Sequence, residues 1–232
     1  MGGDSSKASR WRVLASAAMR HVYSLILYLL LPLVFARLLW RSVRAPAYRR
    51  RWGERMGWFR APEQWGGLWI HAVSVGESQA TQPLMRWISE NLPDVPVVIS
   101  TTTPTGADRV AQMYGDTVTR VYFPYDLPFA IRRALHAFRP RLMVVMETEI
   151  WPNLFHDAET RGIPILIANA RISPRSFGSY RRFRKLTAAA LARVSHIAAQ
   201  SSADAGRLLE LGAIEGKTSV SGNLKFDLKL PP

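Results

Sequence analysis

The sequence predicts an α/β fold built on a mostly parallel sheet with helices on its faces. From Gly66 onward, short apolar runs alternate with amphipathic segments, which is the pattern of repeated strand, helix and strand units. The apolar runs are often β-branched and mostly lack strict polar alternation, as expected of strands buried on both faces. With 232 residues, 48% of them hydrophobic, the chain is long enough for one ordinary domain and some extra sequence, or for two small domains.

Seven segments are predicted as strands: residues 68–73, 95–100, 119–123, 142–146, 163–168, 196–199 and 218–220. Six segments, one in each gap between these strands, are predicted as helices: residues 79–91, 106–113, 128–138, 153–160, 179–193 and 203–211. A helix in every gap indicates crossover connections, so the strands are expected to run parallel.

The N-terminal part of the chain carries most of the positive charge. The formal net charge is +14, and the first 60 residues hold twelve Lys or Arg against two acidic residues, a net of +10. Residues 22–36 carry no charge, and the apolar stretch reaches Trp40 if Arg37 is tolerated. This length is borderline between a membrane span, which needs about 20 apolar residues, and a helix in the membrane interface. The arginines that follow predict that the domain behind them faces the cytoplasm.

Two other interpretations of the apolar stretch stay open. A cleaved signal peptide would need small residues at its cleavage site, where this sequence has Arg37 and Leu38. A core helix with a solvated basic face would need no membrane at all. On the anchor interpretation the chain divides into five parts: a tail (1–20), a membrane anchor (21–40), a basic membrane-proximal segment (41–65), an α/β domain (66–227) and the start of a connector (228–232).

Polar residues follow the predicted strands at their carboxyl ends, where an open parallel sheet has its binding site. They occupy residues 74–78, 101–106, 124–126, 147–153, 169–173, 200–204 and 222–227. Three carboxylates, an arginine and a lysine at this edge resemble an active site more than a set of solvated loops. Helix N-caps alone would nevertheless account for Ser, Thr and Asp at several of these positions.

Several common kinds of site are excluded. The chain has no cysteine, so a disulfide framework, a zinc knuckle and a thiol nucleophile are impossible. No glycine-rich dinucleotide or P-loop motif follows a strand, and Ser74 lies in an incomplete nucleophile elbow that lacks its first glycine. The five histidines lack metal-ligand spacing, so neither a metal nor a cofactor is predicted. His71, inside a predicted strand, is expected to be a hydrogen-bonded core imidazole.

Eight short motifs occur in order along the chain. They are RAPAYR at 44–49, RWGER at 51–55, HAVSVGE at 71–77, TTPTG at 102–106, YDLP at 125–128, METEIWPN at 146–153, ANARIS at 168–173 and GNLKFD at 222–227. Together they resemble the 3-deoxy-D-manno-octulosonate (Kdo) transferases of lipopolysaccharide synthesis. The resemblance implies the N-terminal, acceptor-side Rossmann-like half of a GT-B glycosyltransferase, anchored in the bacterial inner membrane. It also implies inverting transfer of Kdo from CMP-Kdo to a lipid A precursor (lipid IVA), with no metal in the transfer step.

The same resemblance implies roles for individual residues. Glu77 matches the general base that would deprotonate the acceptor hydroxyl, and Glu147 and Lys225 match positions that stabilise the transition state. The resemblance assigns no role to Glu149, which is expected only to bond backbone amides around Trp151 and Pro152. Three further residues are candidates for acceptor binding: Thr105, Arg171 and Arg175. Solvated charges on the flanks of helices explain the two arginines equally well.

The sequence departs from the family in one large respect, because the second domain that would bind CMP-Kdo is absent from the 232 residues. We therefore expect the chain to need a separate half for turnover. Its expected partners are the lipid A precursor and inner-membrane lipids. A non-catalytic membrane-surface scaffold remains an alternative function. A nucleic-acid binder is disfavoured, because most excess charge lies beside the apolar stretch rather than on the folded body.

Overall fold

The computed structural model describes residues 4–49, 51–60 and 64–224. Ten α-helices lie in these ranges: α1 (Asp4–Arg44), α2 (Trp52–Arg55), α3 (Val75–Ala80), α4 (Gln82–Asn91), α5 (Pro104–Tyr114), α6 (Pro128–Phe138), α7 (Pro152–Glu159), α8 (Pro174–Arg182), α9 (Arg184–Leu191) and α10 (Ser202–Glu210). Seven strands lie there as well: β1 (Leu68–His71), β2 (Val97–Thr101), β3 (Thr119–Tyr122), β4 (Leu142–Met146), β5 (Ile165–Ala170), β6 (His196–Ala199) and β7 (Thr218–Val220). Two short 3₁₀ helices, Pro46–Arg49 and Glu215–Lys217, complete the regular structure of the described residues.

The seven strands form one sheet in the order β3-β2-β1-β4-β5-β6-β7, and every neighbouring pair is parallel. The first strand along the chain, β1, lies in the middle of the sheet. From there the chain proceeds to one edge through β2 and β3 and returns to β4 on the other side of β1. Connections therefore diverge between β1 and β4, which is the switch point where doubly wound sheets bind ligands. The predicted fold class, a Rossmann-like parallel sheet flanked by helices, is confirmed.

The sheet separates two hydrophobic cores, because successive strand side chains point to opposite faces. Trp69 packs against Phe138 of α6 with ring centroids 5.3 Å apart, in the larger core formed with α7, α9 and α10. The next residue, Ile70, points into the smaller core with Ile88 of α4 and Val110 of α5. Each of these side chains is nearly or fully buried, and burying one of that size contributes about 1.5–3 kcal/mol. Both faces of β1 are thus covered. Polar residues of this part of the chain can therefore contact a ligand only in the loop that follows the carboxyl end of β1.

The short helix α2 covers the exposed edge of the sheet at β3. The Tyr122 backbone N–H donates to the Glu54 carboxylate at 2.7 Å. The Arg55 guanidinium is buried, lies over the Tyr122 ring at 4.4 Å and donates to the Thr102 carbonyl at 2.9 Å. An edge strand with unpaired backbone groups would invite association with other chains. The RWGER motif therefore has a structural explanation at the sheet edge.

The helix predicted at 79–91 is in fact two helices, α3 and α4. The Ser74 hydroxyl accepts the Glu77 backbone N–H, which caps α3 and starts it earlier than predicted. Pro83 lies in the first turn of α4, where its missing N–H is tolerated but where a continuous helix would lose a hydrogen bond.

The helix predicted at 179–193 is likewise divided, into α8 and α9. Ser173 accepts the Ser176 backbone N–H and caps α8, so this helix begins at Pro174. The break falls at Phe183, whose ψ of 35° lies outside the helical range.

The long helix α1 contains the stretch predicted as a membrane anchor. Pro32 lies inside it without ending it. Within Ala17–Arg44, an 18-residue window reaches a mean hydropathy of 2.1, and only 11% of that window is buried. At 1.5 Å per residue these 28 residues extend about 42 Å, enough to cross the roughly 30 Å hydrocarbon layer of a bilayer.

Candidate active site

Loops from neighbouring strands contact one another at the carboxyl edge of the sheet. The hydroxyl of Thr102, after β2, donates to the carbonyl of Val73, after β1, at 3.3 Å. The hydroxyl of Thr148, after β4, donates to the carbonyl of Arg171, after β5, at 2.6 Å. The first contact joins the loops after β1 and β2 and the second joins the loops after β4 and β5, so neighbouring loops are tied together on each side of the switch point.

Glu77 is the first acidic residue after β1 along the chain. It is only 8% exposed and lies in the first turn of α3. Its carboxylate accepts the Val73 backbone N–H at 2.8 Å and the Ser74 hydroxyl at 3.0 Å. Glu77 therefore completes the cap of α3. A carboxylate has roughly four acceptor positions, so these two bonds are compatible with a further role in proton transfer.

Glu147 and Asn169 share an unusual backbone conformation at the ends of adjacent strands. Their φ angles are 55° and 56°, in the left-handed region that few residues other than glycine adopt. The Glu147 backbone N–H still donates to the Ala168 carbonyl at 2.9 Å, so the chain turns directly after its last pairing with β5. Left-handed residues of this kind cost roughly 1–3 kcal/mol and cluster at functional sites.

The Glu149 carboxyl is affected by the charges of both Glu77 and Glu147. Burial, and after it the negative charges of Glu77 and then Glu147, raise the pKa of Glu149 to about 7. Burial and the Glu149 charge also raise the pKa of Tyr180 to about 12. The charges of the loops after β1 and β4 therefore act on the same group. Among the described contacts no backbone amide near Trp151 donates to the Glu149 carboxyl, so the expected role in bonding that turn is not observed.

Asn169 binds the segment of the chain that leads towards Lys225. It is fully buried, its side-chain oxygen accepts the Leu224 backbone N–H at 3.0 Å, and its carbonyl accepts the Gln200 side-chain amide at 3.0 Å. Lys225 itself, the predicted cationic member of the site, lies outside the described residues. The proposed grouping of Glu77, Glu147 and Lys225 therefore remains a prediction.

The three acceptor-binding candidates lie at the same edge of the sheet. Arg171 and Arg175 are both exposed, one directly after β5 and the other in the first turn of α8. Thr105 is exposed in the first turn of α5, and its hydroxyl lies 3.4 Å from that of Thr103. Solvent access at these three side chains suits contact with a large ligand.

His71 is a core imidazole, as predicted. It is fully buried, its ring stacks on Phe123 at 3.8 Å, and its Nδ1 lies 3.0 Å from the Ser100 hydroxyl. Burial lowers the pKa of His71 to about 3. The ring is therefore neutral at physiological pH and only weakly basic. In the described ranges no group of three or more His, Asp or Glu side chains is arranged to hold a metal ion.

Sequence reasoning placed Asp126 at this edge but did not predict that its carboxylate is buried. Asp126, 2% exposed, accepts the backbone N–H groups of Asn153 at 3.0 Å and Leu154 at 2.8 Å. It thereby fixes the start of α7, directly after the loop that carries Glu147 and Glu149. The YDLP and METEIWPN motifs contain Asp126 and Asn153, but their pairing depends on tertiary contacts that the sequence does not display.

Comparison with known proteins agrees with the motifs. Residues 50–228 match the family model described as 3-deoxy-D-manno-octulosonic-acid transferase (kdotransferase). The 3-deoxy-D-manno-octulosonic acid transferase of Haemophilus influenzae is 40% identical over 213 residues, which cover 90% of this chain and 49% of the relative. That of Bordetella pertussis is 36% identical over 227 residues, covering 91% of this chain and 51% of the relative. The chain thus spans about half the length of the curated relatives it matches.

A solved structure supports the fold independently. The UDP-GlcNAc 2-epimerase from Neisseria meningitidis superposes with a TM-score of 0.51 at 15% identity, covering 69% of this chain and 48% of that one. At this identity the similarity concerns the fold alone, a GT-B-like arrangement of the parallel sheet. The family model covers most of the chain, and the curated relatives match it along nearly its whole length. The chain belongs to the 3-deoxy-D-manno-octulosonic-acid transferase family.

Proposed function

We propose that this chain is the acceptor-side half of a Kdo transferase. In this proposal a second half binds CMP-Kdo, and this chain holds the lipid A precursor lipid IVA. Kdo is transferred from CMP-Kdo to lipid IVA during synthesis of the lipopolysaccharide core. Family membership supports the reaction class, because the curated relatives carry the name of this transferase. The α/β domain at residues 66–227 then corresponds to the acceptor-side domain.

The observation that carries the proposal is the position of Glu77. Its carboxylate lies at the carboxyl end of the central strand β1, next to the switch point of the sheet, and shares an electrostatic environment with Glu147 and Glu149. Glu77 acts as the general base that removes the proton from the attacking sugar hydroxyl. The hydroxyl oxygen then attacks the anomeric carbon of Kdo as CMP departs, so the configuration at that carbon inverts.

Glu147 and Lys225 stabilise the transition state. The ammonium of Lys225 offsets negative charge that develops on the leaving CMP phosphate and is already present on the Kdo carboxylate. Glu147 orients Lys225 or the acceptor hydroxyl. The strained backbone of Glu147 supports this role, because strain at a strand end usually marks a position with a function.

The acceptor's phosphates are bound by arginines at the same edge. Arg171 and Arg175 present guanidinium groups that match phosphate geometry, with Thr105 on the opposite side of the switch point. The enzyme acts at the cytoplasmic side of the bacterial inner membrane, where α1 holds it beside its lipid-linked acceptor. The exposed apolar surface of α1 supports this location.

The test is Kdo transfer by a fusion in which residues 1–232 replace the matching part of the Haemophilus influenzae relative. Radiolabelled Kdo from CMP-Kdo should appear on lipid IVA, and the product should have the inverted anomeric configuration. The chain alone, assayed in parallel, is expected to bind lipid IVA without transferring Kdo.

Charge-removing variants define the acceptor contacts. Arg171→Gln and Arg175→Gln should each raise the KM for lipid IVA more than they lower kcat, while Arg86→Gln, an exposed arginine on α4, should leave both unchanged. A folded fusion that binds CMP-Kdo but transfers no Kdo would contradict the proposed function. Unchanged acceptor affinity in both arginine variants would remove those residues from the site.

A further inference from the structure

The N-terminal half of α1 is fastened to the α/β domain by a buried polar network. The Asn153 side-chain oxygen accepts hydrogen bonds from the Arg20 guanidinium at 3.2 Å and from the Ser24 hydroxyl at 3.1 Å. Ser24 is only 6% exposed, and the Tyr23 hydroxyl bonds the buried Asp126 carboxyl. Removing α1 from the domain would therefore leave several buried polar groups without partners, at about 1–3 kcal/mol each.

The rest of α1 is also in contact with the folded body. Tyr28 stacks on Phe129 at the start of α6, with ring centroids 6.1 Å apart. Further along, the Phe35 ring lies 5.5 Å from that of Trp52 in α2. The helix thus follows the surface of the domain, and near its C-terminal end the Arg41 guanidinium lies 4.6 Å from the Tyr48 ring.

The length of this attachment is comparable to the thickness of a membrane. Arg20 and Arg41 are 21 residues apart, which is about 32 Å of helix against roughly 30 Å of bilayer hydrocarbon. If α1 crossed the bilayer while attached, the domain surface beside it would lie at hydrocarbon depth. That surface carries the exposed arginines Arg132 and Arg133, and a charge there is expensive. Crossing would therefore require α1 to detach from Asp126 and Asn153.

The side of α1 that faces away from the domain is a continuous apolar stripe. At 100° per residue its members fall within an arc of roughly 80°, opposite the buried residues Ser24, Leu38 and Ser42. We call it the outer stripe, and its members, each 56–72% exposed, are Val22, Leu25, Leu29, Leu33, Trp40 and Val43. An apolar surface of this kind marks an interaction site.

Charged and aromatic side chains border the outer stripe. Arg37, Arg41 and Arg44 are exposed along one flank of α1. On the domain, Trp58 is 61% exposed and lies 5.1 Å from the Arg133 guanidinium, which also lies over Phe129. Arginine with tryptophan at the edge of an apolar surface is the composition that suits the headgroup region of an anionic bilayer.

We propose that α1 is an in-plane membrane helix: the outer stripe enters one leaflet of an anionic bilayer while the opposite side stays on the domain. This inference rests on the proposed location at the inner membrane and specifies how the chain is held there. Because Asn153 follows Glu149 by four residues, the network that binds α1 also sets the carboxyl edge of the sheet beside the leaflet. A lipid-linked acceptor then reaches this edge without leaving the bilayer.

The test measures membrane depth residue by residue. The chain contains no cysteine, so each single-cysteine variant carries one nitroxide label. Variants Leu25→Cys, Leu29→Cys, Leu33→Cys and Val43→Cys are reconstituted in vesicles of phosphatidylethanolamine and phosphatidylglycerol, and depth is read from oxygen and nickel-chelate accessibility. Trp58→Cys samples the domain border, and Trp87→Cys, 55% exposed on α4, serves as its aqueous control.

The in-plane arrangement predicts the same shallow depth, within a few ångströms, at all four outer-stripe positions. It also predicts headgroup-level exposure at Trp58 and full water exposure at Trp87. A crossing helix would instead separate Leu29 and Val43 by up to about 21 Å in depth, since the two positions are 14 residues apart along the helix. That gradient, or labels that are water-exposed along the whole stripe, would overturn the proposal. The measurement needs no Kdo transfer, so its failure is distinct from failure of the proposed function.

Discussion

Because three carboxylates lie together at the edge of the sheet, we predict that removing the charge of Glu149 stabilises the protein. Glu149 is partly buried beside Glu77 and Glu147, and its pKa is raised from 4.5 to about 7. Between these two values the native state holds a proton that the unfolded chain has released. Stability therefore falls as pH rises through this window, and the full penalty is present above pH 7. Glu149→Gln keeps the shape of the side chain and removes the charge.

The size of the effect follows from the pKa. A difference of about 2.5 units at 1.36 kcal/mol each gives at most about 3 kcal/mol, as an order of magnitude. We expect Glu149→Gln to unfold at higher urea concentration than wild type at pH 8 and at nearly the same concentration at pH 5. The measurement is urea unfolding in detergent micelles, followed by tryptophan fluorescence.

The matched control is Glu90→Gln, an exposed glutamate on α4. This variant should follow wild type at both pH values to within about 0.5 kcal/mol. If Glu149→Gln were no more stable than wild type at pH 8, or if it gained equally at pH 5, then the carboxylates would not share the electrostatic environment that the proposed site requires.

Three further changes test the packing and the network at α7. Phe138→Ala, which truncates a side chain that is 2% exposed, should cost about 3–5 kcal/mol in chemical unfolding. Gly67→Ala should lower the free energy of unfolding by about 1–3 kcal/mol, because the new methyl carbon would lie 1.7 Å from the Pro96 carbonyl oxygen. The control Gly206→Ala, in open space on α10, should raise it by up to about 1 kcal/mol. Equal effects of the two substitutions would contradict the packing. Burial raises the pKa of Asp126 to about 7 although two backbone N–H donors oppose this, so wild-type stability should fall from pH 4 to 7. Asp126→Asn should lower the free energy of unfolding by about 1–3 kcal/mol at pH 5, because one hydrogen-bond acceptor is lost, and by less at pH 8. A stability difference between wild type and variant that did not change with pH would refute the raised pKa of Asp126.

The sheet could be predicted from the sequence because its strands are buried on both faces. Strands such as Leu142–Met146 are continuous apolar runs, and the helix between each pair fixes the parallel direction. Helix boundaries were less accurate where capping decides them. The hydroxyl of Ser173 starts α8 earlier than predicted, and the apolar pattern alone does not reveal this.

The candidate site was predictable in position but not in its physical chemistry. Motif resemblance pointed to Glu77 and Glu147, and the strand order explains why the ends of β1 and β4 are neighbours. The raised pKa of Glu149 depends on burial and on two charges brought in from elsewhere along the chain. The seating of Leu224 on Asn169 is likewise a contact across 55 residues. Periodicity reports which residues are buried, but not which polar groups meet.

The proposed function depends above all on Glu77 as a base. The measurement is the initial rate of Kdo transfer to lipid IVA by the fusion carrying Glu77→Gln, with Glu90→Gln as control and lipid IVA binding measured alongside. A positioned general base contributes about 10²- to 10⁴-fold, so we predict a loss of that size in kcat with acceptor binding retained and wild-type rates in the control. Transfer by a folded Glu77→Gln fusion at near wild-type rate would contradict the assignment.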